Sequence, residues 1–427
     1  MARRQYRYPL KVVGQGQKRT AQDDAPPPAA KRPRVRTPPA STPSPLTTPI
    51  FPPQVKSKNK VEGNARVGPY YEDEISRTAF PRVRHPQSKA MHNPNNLCYR
   101  NASLQALFHS PQFYQFLGKV HQDCYVTSEY CVVCALQELI WRYWNAPGVQ
   151  PGNSGVTEVS GGRLEVFTAA CKKSPPRDLQ TAREVEKDRQ SDAFMFIDYL
   201  VRECLAEVPG MDASLLRDFF ELECERSWTC RHCGNESRIQ DEKTGQLGLT
   251  VEFSDKEKGH GVPWYIHNGF FYEKVTVWCD SDECQERRDT SEAIDGPRRL
   301  LTRRITRAPE VLVVRIARFK FTEEGTVSKI EQRVRYPEFL NLNAYRGQNL
   351  KQDCVYRLDG VVGHRGKTTR KGHYIAAARD LSSRYEVLND MREILSSGNF
   401  KTMETFNKSG NVEKAAFSPF VCIYSRL

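Results

Sequence analysis

Residues 93–107 read NPNNLCYRNASLQAL and place Cys98 at the start of a predicted helix, because apolar side chains follow it at helical spacing. Much later in the chain, residues 372–374 read GHY and residues 388–390 read LND, which supplies a histidine, an amide and a carboxylate. A cysteine at a helix start, with a distant histidine and then an asparagine or aspartate, is typical of a thiol nucleophile. A single cysteine at a helix start is usually only a small buried residue, so the prediction depends on the combination.

Each of these side chains suits a chemical role. Cys98 lies at the positive end of the helix dipole, which favours the thiolate. His373 can complete an ion pair with that thiolate and later protonate a leaving amine, and Asn389 can hold the imidazole in one orientation. Asn93 precedes Cys98 by five residues, and its side-chain amide can donate a hydrogen bond to a developing oxyanion.

The same stretches closely resemble the ubiquitin-specific protease family of deubiquitinating cysteine proteases. The cysteine box of that family is matched at Asn93, Asn96, Cys98, Tyr99, Asn101, Ala102, Leu104 and Gln105. The histidine box is matched between residues 356 and 390. Weaker blocks occur at residues 190–196, 309–340 and 420–426, in the order that the family shows.

The resemblance implies roles for five residues and a reaction. Cys98 would be the nucleophile, His373 the base and Asn389 the third member of the triad. Asn93 falls on the oxyanion position, and Asp390 is expected to support the site. The reaction implied is hydrolysis of the peptide or isopeptide bond after the C-terminal glycine of ubiquitin. The partners would be ubiquitin and ubiquitinated proteins.

Four positions depart from the family pattern without removing any of these groups. They are Asn95 for glycine, Leu97 for threonine, Arg100 for an apolar residue and Leu388 for phenylalanine. If the first of these positions needs a positive φ, asparagine is the residue other than glycine that tolerates it best.

Two groups of cysteines have the spacing of metal ligands. Cys230 and Cys233 form one pair, and Cys279 and Cys284 form a second, so that four thiolates could hold a structural zinc ion in tetrahedral geometry. Unliganded cysteines are the alternative. In the resembling family such a site ties the tips of the fingers together. His232, inside the first pair, is expected to be exposed rather than a ligand.

A second, closely spaced group comprises His121, Cys124, Cys131 and Cys134, which also predicts a zinc site. Cysteines are common in protein cores, so buried thiols without a metal are the alternative here.

The first 60 residues differ in composition from the rest. They contain 13 Lys and Arg against two Asp, so most of the net charge of +13 lies there, and they contain 12 of the 27 prolines. Such a segment cannot build a packed core, and we expect residues 1–85 to form a disordered basic tail. Lys18-Arg19 and Lys31-Arg32 have the spacing of a bipartite nuclear localisation signal, which would bind an import receptor. The alternative is a basic tail that touches nucleic acid weakly.

The remaining sequence predicts one α+β catalytic domain over residues 86–427. Residues from about 90 to 210 have helical periodicity, with predicted apolar stripes at Leu136, Ile140, Tyr143, Trp144 and at Phe196, Tyr199, Leu200, Cys204. β-Branched and aromatic runs dominate after about residue 215. Helices followed by strands indicate an α+β fold. The resemblance implies a papain-like core with thumb, palm and fingers, the zinc-bearing fingers occupying about residues 215–315.

Composition also bears on location. No apolar run approaches the roughly 20 residues that span a bilayer, so we expect no membrane partner. Thirteen cysteines, an odd number, fit a reducing compartment better than a disulfide framework. The nucleus and the cytoplasm both satisfy this expectation, and the basic tail favours the nucleus.

Three other functions share part of the pattern. A protease for a ubiquitin-like modifier would use the same chemistry and differ only in the surface that receives the modifier. A catalytically weak ubiquitin-binding adaptor is disfavoured by the intact Cys98, His373 and Asn389. A nuclear nucleic-acid-binding zinc protein has support only from the basic tail and the cysteine pairs.

Overall fold

A computed structural model of the chain describes its residues 80, 83–120, 131–148, 158–159, 162–173, 190–206, 213–239, 245–252, 259–276, 279–289, 299–321, 327–368, 371–390, 395–397, 399–400 and 417–427. The predicted localisation signal, nearly all of the predicted tail, and His121 and Cys124 of the second cysteine group lie outside these residues.

Helices come first along the described chain. They are α1 (Cys98–Phe108), α2 (Pro111–Lys119), α3 (Val132–Asn145), α4 (Arg163–Lys173), α5 (Ala193–Tyr199), which continues as the π-helical turn Leu200–Leu205, and α6 (Ala213–Phe220). Local sequence explains where two of them begin. Ser110 caps α2 by accepting a hydrogen bond from the N–H of Phe113 at 3.3 Å, and Pro111 occupies the first helical position. Asp192 caps α5 through the N–H of Phe194 at 2.8 Å.

An eight-stranded, mostly antiparallel sheet forms the centre of the molecule. Its order is β14 (Leu395–Ser397), β13 (Tyr385–Leu388), β12 (Lys371–Arg379), β11 (Val355–Thr368), β15 (Ser418–Arg426), β7 (Val311–Ile316) and β4 (Leu249–Val251), with β10 (Phe339–Asn341) paired to β11. All of α1 is buried against this sheet. The approach is close at Gly360, where a Cβ would lie 2.9 Å from atoms of Ala106.

A second, five-stranded sheet projects the cysteine pairs. It contains β1 (Glu221–Cys230), β2 (Glu236–Arg238), β3 (Gln246–Leu247), β5 (Tyr272–Val275) and β6 (Arg299–Arg307). The register pairs Cys230 of β1 with Arg299 of β6 at one end of this sheet. The other described elements are α7 (Val262–Tyr265), its π-helical continuation Ile266–Phe271, α8 (Asp282–Asp289), the hairpin of β8 (Phe319–Phe321) and β9 (Val327–Lys329), and a 3₁₀ turn at Asn343–Tyr345.

The order of these elements confirms the predicted α+β fold. Both predicted apolar stripes are buried: Leu136, Ile140, Tyr143 and Trp144 on α3, and Phe196, Tyr199, Leu200 and Cys204 from α5 onward. The second sheet lies between residues 221 and 307, within the range expected for the fingers, although β4 and β7 belong to the central sheet. Among the described residues, no helix is long and apolar enough to cross a membrane.

Candidate active site

Cys98 is the first residue of α1 and is buried, with 3% of its surface exposed. The helix packs against β12, so the thiol faces the strand that carries His373. The backbone N–H groups of Tyr374, the residue after His373, and of Tyr99 act on the sulfur and favour its thiolate form. The two ends of the predicted chemistry are therefore brought together, although 275 residues of chain separate them.

The electrostatics of this thiol differ from the expectation. Burial, reinforced by the negative charge of Asp390, raises the pKa of the Cys98 thiol to about 11. The N–H groups at the helix start and at Tyr374 act in the opposite direction but do not outweigh the loss of solvent. In this conformation the thiol is protonated at neutral pH, so the helix dipole alone does not create a thiolate.

His373 lies on β12, and Asn389 follows β13 directly. The pairing of these neighbouring strands brings His373 Nε2 within 2.7 Å of Asn389 Oδ1. A carboxamide oxygen only accepts, so Nε2 is the protonated nitrogen in this arrangement. The lone pair of a neutral imidazole is then on Nδ1, the nitrogen that remains for a proton from elsewhere.

Asp390 connects several of the predicted residues. Its Oδ2 accepts a hydrogen bond from Asn93 Nδ2 at 3.0 Å, and its Oδ1 accepts one from Asn101 Nδ2 at 2.8 Å. The same Oδ2 lies 3.8 Å from His373 Nε2. Asn93 Oδ1 accepts from the N–H of Leu97 at 2.8 Å, which fixes the orientation of its amide. One N–H of Asn93 therefore binds Asp390, and among the residues that the structure describes none accepts the other.

Two residues flanking the site have left-handed backbone conformations. Asn96 and Asp390 both have φ of 46°. Asn95 is not among the described residues with positive φ, whereas its neighbour Asn96 is, so the position of the family glycine does not need that conformation here. Such conformations cost energy outside glycine and are commonly found at functional sites.

Gly372 is required for the close pairing of β11 and β12 beside His373. Its φ is 154°, and a Cβ there would lie 2.2 Å from Arg365 O and 2.6 Å from His364 Nε2. Any side chain would therefore displace the strand that carries His373.

The first predicted metal group is assembled. The sulfur atoms of Cys230, Cys233, Cys279 and Cys284 all lie within 4.8 Å of one another, and the pairs Cys230–Cys284 and Cys233–Cys279 are each 3.7 Å apart. Four thiolates around tetrahedral zinc at about 2.3 Å would be separated by roughly 3.8 Å, so the residues fit that ion. A disulfide would need sulfur atoms about 2.05 Å apart, which excludes that pairing here. His232 is exposed, as expected.

The second predicted metal group is described only in part. Cys131 is the N-cap residue of α3, and its sulfur accepts a hydrogen bond from the N–H of Cys134 at 3.5 Å. His121 and Cys124 lie outside the described residues, so this zinc site stays a prediction.

Comparison with known families decides the identity of the chain. The sequence model of the family described as ubiquitin carboxyl-terminal hydrolase matches residues 90–400. The chain belongs to this family. The resemblance seen in the cysteine and histidine boxes is thereby confirmed, and with it the expectation of a hydrolase that acts on ubiquitin conjugates.

The ubiquitin carboxyl-terminal hydrolases that resemble the chain have low sequence identity to it, but they align over most of its length. The chain is 23% identical to ubiquitin carboxyl-terminal hydrolase 8 of Saccharomyces cerevisiae over 354 residues, which is 77% of this chain and 71% of that protein. It is 24% identical to the probable ubiquitin carboxyl-terminal hydrolase 16 of Schizosaccharomyces pombe over 300 residues. That alignment spans 68% of this chain and 59% of the relative.

Solved structures of such hydrolases share the fold. The SAGA Ubp8/Sgf11/Sus1/Sgf73 DUB module bound to ubiquitin aldehyde contains a chain that matches with a TM-score of 0.60 at 20% identity. The match covers 81% of this chain and 71% of that one.

One residue of the hydrolase site was not given a role by the sequence. Asn101 matches the family box, but only the structure shows that its amide holds Asp390. The spacing of Asn101 from Leu97 is the sequence signal for this role. Asn101 lies four residues, or one helical turn, after Leu97, whose N–H binds Asn93.

Proposed function

We propose that this hydrolase cleaves the peptide or isopeptide bond after the C-terminal glycine of ubiquitin with Cys98, His373 and Asn389. The observation that carries the proposal is the 2.7 Å contact between His373 Nε2 and Asn389 Oδ1. This contact orients the imidazole and fixes its tautomer. His373 lies on β12, the strand against which the helix of Cys98 packs. The family match supports ubiquitin conjugates as the substrate class.

The proposed reaction begins with proton transfer from the Cys98 thiol to His373 Nδ1. Burial raises the pKa of the thiol, and His373 supplies the base that takes its proton. The sulfur then attacks the carbonyl carbon of the last ubiquitin glycine, and the carbonyl electron pair moves onto oxygen. The second N–H of Asn93 and the backbone N–H of Cys98 are the donors for that oxyanion.

Collapse of this intermediate breaks the bond between the glycine carbonyl carbon and the leaving nitrogen. His373 gives its proton to the leaving amine, and a thioester remains on Cys98. His373 then takes a proton from water, and the resulting hydroxide attacks the thioester. The bond between the glycine carbonyl carbon and sulfur breaks, His373 returns its proton to the Cys98 sulfur, and ubiquitin leaves with a free C-terminal carboxyl group.

A structural zinc ion is proposed for the fingers. Cys230, Cys233, Cys279 and Cys284 would hold it, and it would supply folding free energy to the end of the five-stranded sheet rather than chemistry. The sheet it stabilises is remote in sequence from Cys98 and His373.

Two experiments test the proposed reaction. Wild-type protein should become covalently attached to ubiquitin bearing a C-terminal electrophile and should hydrolyse a fluorogenic ubiquitin conjugate, whereas Cys98→Ala should do neither and still bind ubiquitin. The same experiments with electrophiles made from ubiquitin-like modifiers test the rival function. A protease for such a modifier should be labelled by that modifier in preference to ubiquitin. Labelling of Cys98→Ala would overturn the assignment.

We also propose that the basic tail directs the protein to the nucleus through an import receptor. Lys18-Arg19 and Lys31-Arg32 support this by their bipartite spacing. Replacing these four residues by alanine should move a fluorescent fusion toward the cytoplasm. A protein that stays nuclear but becomes extractable at lower salt would instead favour weak nucleic-acid binding by the tail.

A further inference from the structure

Arg100 is a buried cation two residues after Cys98, at a position where the family pattern has an apolar residue. Only 3% of its surface is exposed. Its Nε and Nη2 both donate to Asn101 Oδ1, at 3.1 and 2.8 Å, and Nη2 also donates to the carbonyl oxygen of His92 at 3.3 Å. Nη1 donates to the hydroxyl of Thr168 on α4.

A buried guanidinium is costly unless something compensates it. Within the described part of the chain, no carboxylate lies at ion-pair distance from Arg100, and its acceptors are an amide, a hydroxyl and a backbone carbonyl. The positive charge of Arg100 is therefore buried with hydrogen bonds to neutral groups as its direct contacts. Two of these four bonds end on one atom, Asn101 Oδ1.

The other side of the Asn101 amide faces the active site. Its Nδ2 donates to Asp390 Oδ1 at 2.8 Å and also lies within hydrogen-bond distance of the carbonyl oxygens of Met91, at 3.1 Å, and His92, at 3.2 Å. The amide is thus fully used, with its oxygen held by Arg100 and its nitrogen held by the loop and Asp390.

We propose that Arg100 is a positioning residue that clamps the Asn101 amide, so that Asp390 is held in place to orient Asn93 and to face His373. The planar fork of a guanidinium suits this task, because two N–H groups of one rigid group converge on the amide oxygen and hold that atom in place. This inference rests on the proposed function, since it concerns the same site.

Removal of the clamp has a definite consequence. Without Arg100, Asn101 Oδ1 becomes a buried acceptor with no donor from this side chain, and the amide gains freedom to turn. Asp390 then still accepts the hydrogen bond from Asn93, but its hydrogen bond from Asn101 is no longer held in a fixed orientation. The defect should affect the chemical step rather than ubiquitin binding, because Arg100 is buried beneath the site.

The test is a double-mutant cycle in the full-length protein with Arg100→Met and Asn101→Ala. Methionine keeps the length and restores an apolar side chain of the kind that the family has there. Arg100→Met should lower kcat about tenfold, as expected for a small displacement of a catalytic group, with KM changed less than about threefold. In the Asn101→Ala background, Arg100→Met should cause almost no further loss, since Arg100 acts through that amide. Arg142→Met on α3, which removes a partly exposed arginine paired with Glu138, is the matched control and should retain wild-type kcat.

Arg100→Lys separates the fork from the charge. A lysine keeps the cation but cannot hold one oxygen with two N–H groups of a rigid plane, so its kcat should resemble that of Arg100→Met. Losses that multiply in the double mutant, a change confined to KM, or wild-type activity in Arg100→Met would each overturn the proposal.

An NMR measurement tests the contact between Arg100 and Asn101 without using activity. It therefore still decides the proposal if the proposed function is wrong or if one variant does not fold. The side-chain amide of Asn101, assigned by its disappearance from the ¹⁵N spectrum of Asn101→Ala, should be protected from solvent exchange in the wild type. It should lose that protection in Arg100→Lys and Arg100→Met. If the wild type does not hydrolyse ubiquitin conjugates, the proposed function fails while this signal still decides the clamp; unchanged protection would overturn the clamp alone.

Discussion

His373 Nε2 lies 2.7 Å from Asn389 Oδ1, while Asp390 Oδ2, on the next residue, lies 3.8 Å from the same nitrogen. The shorter contact supports the proposal that Asn389 is the partner that orients the imidazole. The carboxylate of Asp390 instead accepts hydrogen bonds from the side chains of Asn93 and Asn101. Adjacent residues of one turn thus divide two tasks between them.

This division predicts a graded loss of turnover on mutation. His373→Ala should lower kcat by about 10³-fold or more, by analogy with other triads. Asn389→Ala should cost less, since water can replace an orienting group in part. Measurement of kcat on a fluorogenic ubiquitin conjugate checks the order, with folding controlled by thermal melting. Equal losses for the two variants would contradict an orienting role for Asn389.

The second prediction concerns the pH dependence of thiol reactivity without substrate. Burial raises the pKa of Cys98 to about 11, above the ordinary value of 9.0, and only the deprotonated form is nucleophilic. The rate of Cys98 alkylation by iodoacetamide should therefore rise by about tenfold per pH unit from about pH 7 to about pH 10 without levelling off. Peptide mapping by mass spectrometry isolates this site from the other twelve cysteines.

A stable ion pair with His373 in the free protein would give a different profile. The alkylation rate would then be high and nearly flat from neutral pH upward, because the thiolate would already be present. That result would show that the helix dipole and His373 outweigh burial before substrate binds.

These examples show how much the sequence could predict. Residue type and chain order predict Cys98, His373 and Asn389, because the chemistry restricts which residues can serve. The structure brings His373 and Asn389 into contact, and the catalytic roles of the three stay a prediction. The helix start, which favours the thiolate of Cys98, is visible in the sequence, whereas the burial that raises the pKa of this thiol is not. The clamp of Arg100 on Asn101 depends on side-chain rotamers, and nothing in the spacing of the two residues indicates it.

The third prediction concerns metal. Purified protein should contain zinc, and Cys230→Ser should remove one equivalent and lower the melting temperature, because structural zinc contributes directly to folding. His232→Ala is the matched control inside the same turn: its side chain is exposed, and the metal content should not change. Elemental analysis and thermal melting give both readouts. A folded protein without zinc would contradict the site.

The second cysteine group makes a separate prediction. If it binds zinc, the wild type should contain two equivalents, and changing Cys131 and Cys134 to serine together should remove one of them while Cys230→Ser removes the other. A single equivalent that survives the Cys131 and Cys134 changes would favour buried thiols at that position.

The last prediction concerns where the catalytic domain begins. The expected tail ended at residue 85, yet Phe80 packs its ring 5.4 Å from that of Trp144, and the N–H of His85 donates to the carbonyl of Trp144 at 2.9 Å.

Deleting residues 1–79 should leave the melting temperature unchanged and the turnover of a ubiquitin substrate within about threefold of the wild type, because the deleted segment is too polar and proline-rich to build a core. Deleting residues 1–85 should lower the melting temperature by several degrees, about as expected for loss of one buried aromatic contact and its neighbours. Phe80→Ala in the full chain should reproduce most of that loss without shortening the protein. Equal stability of the two truncated proteins would place the boundary at residue 85 after all, whereas loss of turnover on deleting 1–79 would show that the basic tail belongs to the enzyme.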